Sequence, residues 1–238
     1  MSSDKQQISI VQNRDCMEAM VEFSDKFFEL AIVDPPYGIG ESRRKTYHKR
    51  AFTQYKPKKW DNAVPDAEYF KELFRVSKNQ IIWGGNYFSL PTKPKWIVWD
   101  KGQPEGIDQA MFELAWCSIE NVQAKIFRRI VQADSNNCSN NKYLAKQYLR
   151  IHPTQKPIAL YKWILQNYAK PGDKILDTHL GSGSSRIAAW DMGFDFWGYE
   201  TDVDHYNDQE KRFEAHKSKP ALFAPEQMYD FKQTQLEF

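Results

Sequence analysis

The chain has 238 residues, 41% of them hydrophobic and 15% aromatic, which favours one large α/β domain over two small ones. Its three cysteines are scattered without a C-x-x-C pair, so the sequence excludes a disulfide framework and a zinc site and fits the reducing cytoplasm. No apolar run approaches the length of a membrane span, and the first residues contain no apolar leader, so we expect no membrane association.

The first predicted elements are a strand over Ile8–Gln12 and a short helix whose apolar side includes Met17 and Met20. Asp15 lies in the turn between them, where a carboxylate can accept a backbone N–H and cap the helix. Capping alone would therefore account for an acidic residue at this position.

The apolar run Leu30–Val33 ends in Asp34, Pro35, Pro36 and Tyr37, and it predicts a buried parallel strand with these residues at its carboxyl end. Ligands of open α/β sheets bind at that edge. The prolines lack N–H groups and fix φ, so the turn is stiff and holds two acceptors, the Asp34 carboxylate and the Pro35 carbonyl, beside an aromatic ring. This arrangement suits a planar group that carries an NH2, although an ordinary strand-ending turn would use the same prolines.

Two segments concentrate positive charge in a chain whose formal net charge is only +2. Residues 41–60 contain eight basic residues against one acidic residue, interleaved with aromatic side chains, and residues 118–150 contain six against two. Cations with aromatic rings suit phosphate contact and stacking on an unpaired base. The alternative to nucleic-acid contact is a solvated charged surface. For residues 41–60 a disordered loop is a further alternative. The candidate nucleic-acid contacts are Arg43, Arg44, Lys45, Lys49, Arg50, Arg128 and Arg129.

The middle of the chain predicts a helix over Asp66–Val76 and strands over Gln80–Trp83, Trp96–Asp100 and Phe112–Trp116. Most aromatic side chains in these elements are expected to lie in the core. From residue 121 to residue 150 the apolar periodicity is weak, and we predict no regular element there.

The last part predicts a helix over Ile158–Tyr168, a strand over Lys174–Asp177, a glycine-rich turn and a helix that begins near Arg186. Glycines in such a turn let the backbone approach a ligand at the helix N-terminus. The next strand ends in Glu200, close to the roughly 20-residue offset at which an acid meets ribose hydroxyls. The turn lacks the lysine of a phosphate loop and the third glycine of a dinucleotide fingerprint. The combination predicts a nucleotide-type site.

Four motifs follow one another: D-P-P-Y at 34–37, H-P-T-Q-K-P at 152–157, D-x-x-x-G-S-G-S-S at 177–185 and G-Y-E at 198–200. Their order resembles the β-class of DNA amino-methyltransferases, in which the catalytic half precedes the cofactor half. The resemblance implies a Rossmann-like α/β fold, with a mostly parallel, seven-stranded sheet, helices on both faces and an antiparallel hairpin at one edge. It also implies one methyltransferase domain over residues 1–216, with a short target-recognition segment at 118–150 and a tail at 217–238.

The resemblance further implies transfer of a methyl group from S-adenosylmethionine, without a metal, to the N6 amine of adenine in DNA. Asp34 and the Pro35 carbonyl would accept the two amine N–H bonds, Pro36 would stiffen the turn, and Tyr37 would stack on the base. Asp15 would lie near the cofactor's adenine, and Lys156 would pair with its carboxylate. The implied cofactor residues are Asp15, Lys156, Asp177, His179, Gly181, Ser182, Gly183 and Glu200.

Two departures from the family's pattern stand in the glycine-rich turn. The family usually has D-P-F, whereas this chain has Thr178 and His179 after Asp177, so an imidazole replaces the aromatic ring that lies against the cofactor's methionine part. An imidazole can also stack, so binding can survive, with pH sensitivity as a consequence. The turn ends in Gly-Ser-Ser where Gly-Thr-Thr is common, which is a milder change.

The implied partner is double-stranded DNA with a flipped adenine, in the cytoplasm of a bacterial or phage-infected cell. Cytosine-N4 methylation, methylation of an RNA or protein amine, and a catalytically impaired DNA-binding module stay open as alternatives, and so does a homodimer. The tail residues Gln233, Leu236 and Phe238 resemble a peptide that docks on the replication sliding clamp. A tail strand that packs Leu236 and Phe238 on its own domain is the favoured alternative.

Overall fold

A computed structural model describes residues 6–40, 61, 63–92, 95–103, 105–106, 110–129, 151–152 and 154–218. The strands are β1 Ser9–Gln12, β2 Phe28–Val33, β3 Ser77–Trp83, β4 Lys95–Asp100, β5 Phe112–Cys117, β6 Lys125–Arg128, β7 Lys174–Asp177 and β8 Asp195–Tyr199. The α-helices are α1 Cys16–Met20, α2 Ala67–Val76, α3 Ile158–Tyr168, α4 Ser184–Asp191 and α5 Val203–Lys217. A 3₁₀ turn covers Gly85–Tyr87.

The strands form one sheet in the order β1-β8-β7-β2-β3-β5-β4-β6. From β1 to β3 in this order all neighbours are parallel, β5 is antiparallel to both β3 and β4, and β6 is parallel to β4. The mostly parallel sheet and its antiparallel β4–β5 hairpin confirm the predicted fold class. The described sheet nevertheless has eight strands rather than seven, and the hairpin does not form the edge.

The additional strand is β6, which lies at the sheet edge in a segment where no element is predicted. Its residues alternate between half-buried and exposed, and of its apolar side chains only Phe127 packs against the core. Backbone pairing with β4 and an ion pair between Arg128 Nε and Asp100 Oδ2, 2.7 Å apart, hold the strand in place. A short edge strand has one solvent-exposed face, so its sequence contains too few apolar residues for their periodicity to be detected.

The central strand β2 separates two packed cores. Leu30 and Ile32 pack with α3 and α4 on one face of the sheet, whereas Ala31 and Val33 pack with α1 and α2 on the other. Successive side chains of a strand point to opposite faces, so a strand covered on both faces is apolar at every position. This confirms the predicted helices on both faces and explains why the run before Asp34 is continuously apolar.

The helix boundaries follow their caps. Helix α3 covers the predicted range, and α2 begins one residue after Asp66 because the Asp66 carboxylate accepts the N–H of Tyr69 at 2.9 Å. Helix α4 begins before the predicted Arg186, directly after Gly183, whose φ of +70° turns the chain into the helix. No helix within the described ranges is long and apolar enough to cross a lipid bilayer.

Candidate active site

A cavity of about 280 Å³ opens where β2, β7 and β8 end side by side. It is lined by Asp34 after β2, by the turn Thr178–Ser182 after β7 and by Glu200 after β8, together with Asp15 and Lys156. Its volume lies close to the lower end of the range of roughly 300–1,000 Å³ found for small-molecule sites. The fold therefore places Asp34, Pro36 and six of the predicted cofactor residues in the lining of one cavity, whereas the predicted site residues Pro35, Tyr37, Asp177 and Gly183 are adjacent in sequence to lining residues but do not line it.

The Asp34 carboxylate is held from two sides. Its Oδ1 accepts the Tyr37 hydroxyl at 2.6 Å, and its Oδ2 accepts the Lys156 ammonium at 2.5 Å. Burial, followed by the charge of Asp34, raises the pKa of Tyr37 well above its usual range, so the hydroxyl stays protonated and donates. The carboxylate is thus fixed in orientation, with the remaining lone pairs of its oxygens open to further donors.

Lys156 is almost completely buried, and its Nζ lies 3.1 Å from Glu113 Oε2 as well as against Asp34. Burial lowers the pKa of Lys156, but the two carboxylates outweigh it and the net pKa is raised, so the side chain is an ammonium. Its predicted pairing with the cofactor carboxylate stays a prediction. In the structure the charge of Lys156 is shared between two carboxylates of the protein.

Glu113 on β5 is a site residue that the sequence reasoning missed. Its Oε1 accepts Lys101 at 2.6 Å, so Asp34, Lys156, Glu113 and Lys101 form an alternating chain of charges. Burial raises the pKa of Glu113, but Lys156 and Lys101 outweigh this effect and the net pKa is lowered. The available signal was a lone carboxylate inside an apolar strand, since buried charges are paired in folded proteins. Among the described residues, no three His, Cys, Asp or Glu side chains cluster as metal ligands would.

Tyr37 is held by a second aromatic ring. The Tyr87 ring stacks on it at 5.1 Å between centroids with 13° between planes, and 47% of Tyr87 is exposed. Gly84 makes the close approach of the Tyr37 ring feasible, because a Cβ at this residue would lie 2.2 Å from Tyr37 Cε1. One face of the Tyr37 ring is therefore covered by Tyr87.

The glycine-rich turn is stabilised by the buried Asp177. Its Oδ1 accepts the N–H of His179 at 3.1 Å and its Oδ2 accepts the Ser185 hydroxyl at 2.5 Å, which ties both ends of the turn to β7. Burial raises the pKa of Asp177 to about 7. Asp177 therefore shapes the turn from behind rather than facing the cavity.

Glu200 and Asp15 place two acids along the cavity. Glu200 Oε2 accepts the N–H of Gly181 at 2.9 Å and Oε1 accepts the N–H of Asp202 at 2.8 Å, so the carboxylate is fixed against the turn. Asp15 accepts the N–H of Met17 at 2.7 Å and caps α1, and it also lines the cavity. Helix capping and a position at the site are thus compatible for Asp15.

Asp61 joins the catalytic motif to the end of the basic segment. Its Oδ1 accepts the N–H of Gly38 at 2.8 Å, and its backbone carbonyl accepts the N–H of Gly40 at 3.1 Å. The segment 41–60, with Arg43, Arg44, Lys45, Lys49 and Arg50, and the tail with Gln233, Leu236 and Phe238 lie outside the described residues. Of the predicted nucleic-acid contacts, Arg128 and Arg129 are described, at and after the end of β6.

Comparison with known proteins gives the family. The family profile described as DNA methylase (N6_N4_Mtase) matches residues 56–211. The Type II methyltransferase M.HpaI of Haemophilus parainfluenzae is 24% identical over 204 residues, which cover 71% of this chain and 63% of that protein. The chain therefore spans less than two thirds of the length of this relative.

Two solved structures share the fold. The M1.HpyAVI–SAM complex has a TM-score of 0.53 at 15% identity, over 85% of this chain and 98% of that one. The cytosine-N4-specific PvuII DNA methyltransferase has a TM-score of 0.56 at 11% identity, over 97% and 94%. At these identities the likeness establishes the fold alone. Since the family profile covers well over half of the sequence, the chain belongs to the DNA methylase family.

Proposed function

We propose that this protein transfers a methyl group from S-adenosylmethionine to the N6 amine of adenine in DNA. The observation that carries the proposal is the Asp34 carboxylate, which Tyr37 and Lys156 fix in the lining of a cavity that the glycine-rich turn also lines. An oriented acceptor beside a cofactor-sized cavity is what amine methylation requires. Membership of the DNA methylase family supports the same reaction class.

The residues around the cavity fit S-adenosylmethionine. The carboxylate of Glu200, fixed against the Gly181 N–H, can accept ribose hydroxyls, and Asp15 offers an acceptor for an adenine amine. The positive φ of Gly181 and Gly183 brings the backbone close to the cavity without a Cβ. When bound, the cofactor supplies an electrophilic methyl group on a sulfonium. Metal-free methyl transfer then depends on alignment and electrostatics.

Asp34 acts on the amine nucleophile. The nitrogen lone pair of an exocyclic amine is delocalised into the base, so the amine is a poor nucleophile. Two acceptors, the Asp34 carboxylate and the Pro35 carbonyl, engage both N–H bonds and favour a more tetrahedral nitrogen. A bound cofactor would supply the methyl group and keep the sulfur as a neutral thioether, and one amine proton would leave along its hydrogen bond to the Asp34 carboxylate and pass to solvent. Because Lys156 and Tyr37 hold the carboxylate in advance, little reorganisation accompanies the step.

The target base has to leave the DNA duplex, since its amine is paired and enclosed in the stack. We expect Tyr37, on which the Tyr87 ring stacks from one side, to be the aromatic residue that stacks on the extruded base. The basic segment 41–60 lies in the sequence between Gly40 and Asp61, which are hydrogen-bonded to each other beside the catalytic turn, and we expect its cations to contact DNA phosphates. Double-stranded DNA is therefore the proposed substrate.

A cytosine-N4 activity is the second candidate, because the PvuII enzyme with the same fold is cytosine-N4-specific. Adenine and cytosine would both present an exocyclic amine on an aromatic base to Asp34. The acid at position 34 favours adenine, because cytosine-N4 relatives of the β-class usually have Ser there.

The test is a single-turnover assay with labelled methyl donor and mixed-sequence DNA, followed by identification of the modified base. We expect N6-methyladenine, and methylated cytosine would replace the adenine assignment. Asp34→Ala should lower the single-turnover rate about 100-fold or more while cofactor binding persists. The matched variant Glu200→Ala should weaken cofactor binding, with the rate recovered at high cofactor. A wild-type rate for Asp34→Ala would refute the catalytic role.

A further inference from the structure

The two residues that depart from the family's pattern form a buried hydrogen-bond chain with Tyr69 of α2. The Tyr69 hydroxyl lies 2.7 Å from Thr178 Oγ1, and this oxygen lies 2.9 Å from His179 Nδ1. Tyr69 and Thr178 are each 3% exposed, and the Tyr69 and His179 rings meet edge to face at 5.3 Å. The hydrogen-bond chain therefore leads from Tyr69 in the core to His179, whose side chain lines the cavity.

The protons of this chain can be assigned by counting donors. If Tyr69 donates to Thr178 and Thr178 donates to His179 Nδ1, each hydroxyl proton has an acceptor. If His179 Nδ1 donates to Thr178 instead, either the Tyr69 proton or the Thr178 proton is buried without an acceptor among the described residues. The first direction is therefore favoured, and it makes Nδ1 an acceptor. A neutral His179 then carries its proton on Nε2.

The Nε2–H group of His179 has no hydrogen-bond partner within the described part of the chain, and its nitrogen is not fully buried. The backbone N–H of His179 is bound to Asp177, and the side chain lines the cavity. Burial lowers the pKa of His179 to about 4, against the opposing charge of Asp15, so the ring is neutral at pH 7. The cavity wall thus contains a neutral donor whose tautomer is fixed.

The position of β7 in the sheet indicates which part of a ligand this donor meets. β7 lies between β8, which ends at Glu200, and β2, which ends at Asp34. A cofactor whose ribose is bound by Glu200 and whose methyl group reaches Asp34 must pass the end of β7. Beyond the ribose the cofactor has a sulfonium, from which the methyl group and the amino-acid chain branch. With the methyl group directed to Asp34, the amino-acid chain is the branch that remains to meet the turn after β7, and its acceptor is a carboxylate.

We propose that His179 is a specificity-determining residue of the cofactor site, whose Nε2–H donates a hydrogen bond to the carboxylate of the bound cofactor. This inference rests on the proposed S-adenosylmethionine site. It gives the departure from D-P-F a function: a hydrogen bond to a charged group of the cofactor replaces an apolar contact. Thr178 and Tyr69 act as positioning residues, because they set the tautomer that makes His179 a donor.

The tautomer is tested first, by ¹⁵N NMR of the ligand-free chain, with His179→Phe used to assign the signals. We expect a protonated Nε2 and an unprotonated Nδ1. The double variant Tyr69→Phe/Thr178→Val removes both hydroxyls at nearly constant volume, and we expect a mixture of tautomers. The opposite tautomer in the wild-type chain would overturn the proposal, and this readout requires no bound cofactor.

The second test is calorimetric binding of S-adenosylmethionine and of its decarboxylated analogue. His179→Phe keeps an aromatic ring but removes the donor, and it should weaken binding of S-adenosylmethionine about 10-fold or more, since hydrogen bonds to charged groups are worth about 1.5–3 kcal/mol. It should not weaken binding of the decarboxylated analogue. Equal losses for both ligands, or none, would overturn the carboxylate contact. Failure of the wild-type chain to bind either ligand would instead refute the proposed function.

Discussion

Replacing Lys156 with Met tests the alternating charge chain at the site. Met retains most of the apolar stem but leaves Asp34 and Glu113 without the ammonium that lies 2.5 Å and 3.1 Å from them. Removing one partner of a buried ion pair costs about 3–5 kcal/mol. Because the side chains of Asp34 and Glu113 are 18% and 25% exposed, we expect the lower end of that range. The free energy of unfolding should therefore fall by about 3 kcal/mol at pH 7.

Urea denaturation measures this loss, and Lys71→Met is the matched control. Lys71 pairs with Glu68 at 2.9 Å, but both side chains are more than half exposed, so the free energy of unfolding of the control should stay close to that of the wild type. The double variant Lys156→Met/Glu113→Gln removes a carboxylate together with its ammonium. It should be more stable than the sum of the two single changes indicates, because the residues are coupled.

The pKa shifts of Glu113 and Lys156 determine the pH range in which these ion pairs contribute to the free energy of unfolding. The pKa of Glu113 is lowered in the folded chain, since Lys156 and Lys101 outweigh the effect of burial. Its contribution to stability is present above its unfolded pKa of about 4.3 and is lost as the pH falls through the lower folded value. The pKa of Lys156 is raised, so its contribution is present below about 10.4 and is lost as the pH rises through the higher folded value. The difference between wild type and Lys156→Met should be largest between these limits. A difference that is unchanged from neutral pH down to pH 3, or one below about 0.5 kcal/mol, would refute the reasoning.

Two further predictions concern Tyr37 and the basic segment. Gly84→Ala should displace the Tyr37 ring and reduce methyl transfer. The control Gly172→Ala is also at positive φ, but nothing lies within 4 Å of its Cβ, so it should cost only about 1–2 kcal/mol of stability. Equal methyl-transfer activity in both variants would show that the close approach of Gly84 to Tyr37 does not matter for the reaction. Changing Arg43, Arg44, Lys45, Lys49 and Arg50 to Gln should weaken DNA binding at constant cofactor affinity, and the salt slope should fall by about 0.9 for each phosphate that is no longer neutralised. An unchanged slope would place the DNA-binding cations elsewhere, for example in residues 125–150.

Local patterns predict the elements that position the site but not the partners of its charges. The buried strand before Asp34, the glycine-rich turn and the helix α3 are readable because apolar periodicity and glycine placement are local signals. The pair between Lys156 and Asp34 spans a sequence separation of 122 residues, and no spacing rule reaches that far. The apolar pattern shows Glu113 only as part of a core strand, and it misses β6 because a short edge strand has little periodicity. Topology decides which distant side chains meet at the sheet edge, and only the structure supplies it.

The hydrogen bonds of Asp61 to Gly38 and Gly40 join the described residues on either side of positions 41–60 at the D-P-P-Y turn. Both hydrogen bonds are made by residues that precede or follow this segment, and neither uses an atom of residues 41–60. Doubling the length of a flexible loop adds only about 0.6 kcal/mol of closure entropy. A change in the sequence or length of residues 41–60 leaves the donors and acceptors of both hydrogen bonds in place, so we expect the D-P-P-Y geometry to stay unchanged. Such an arrangement allows a methylase to acquire new DNA contacts without rebuilding its catalytic centre.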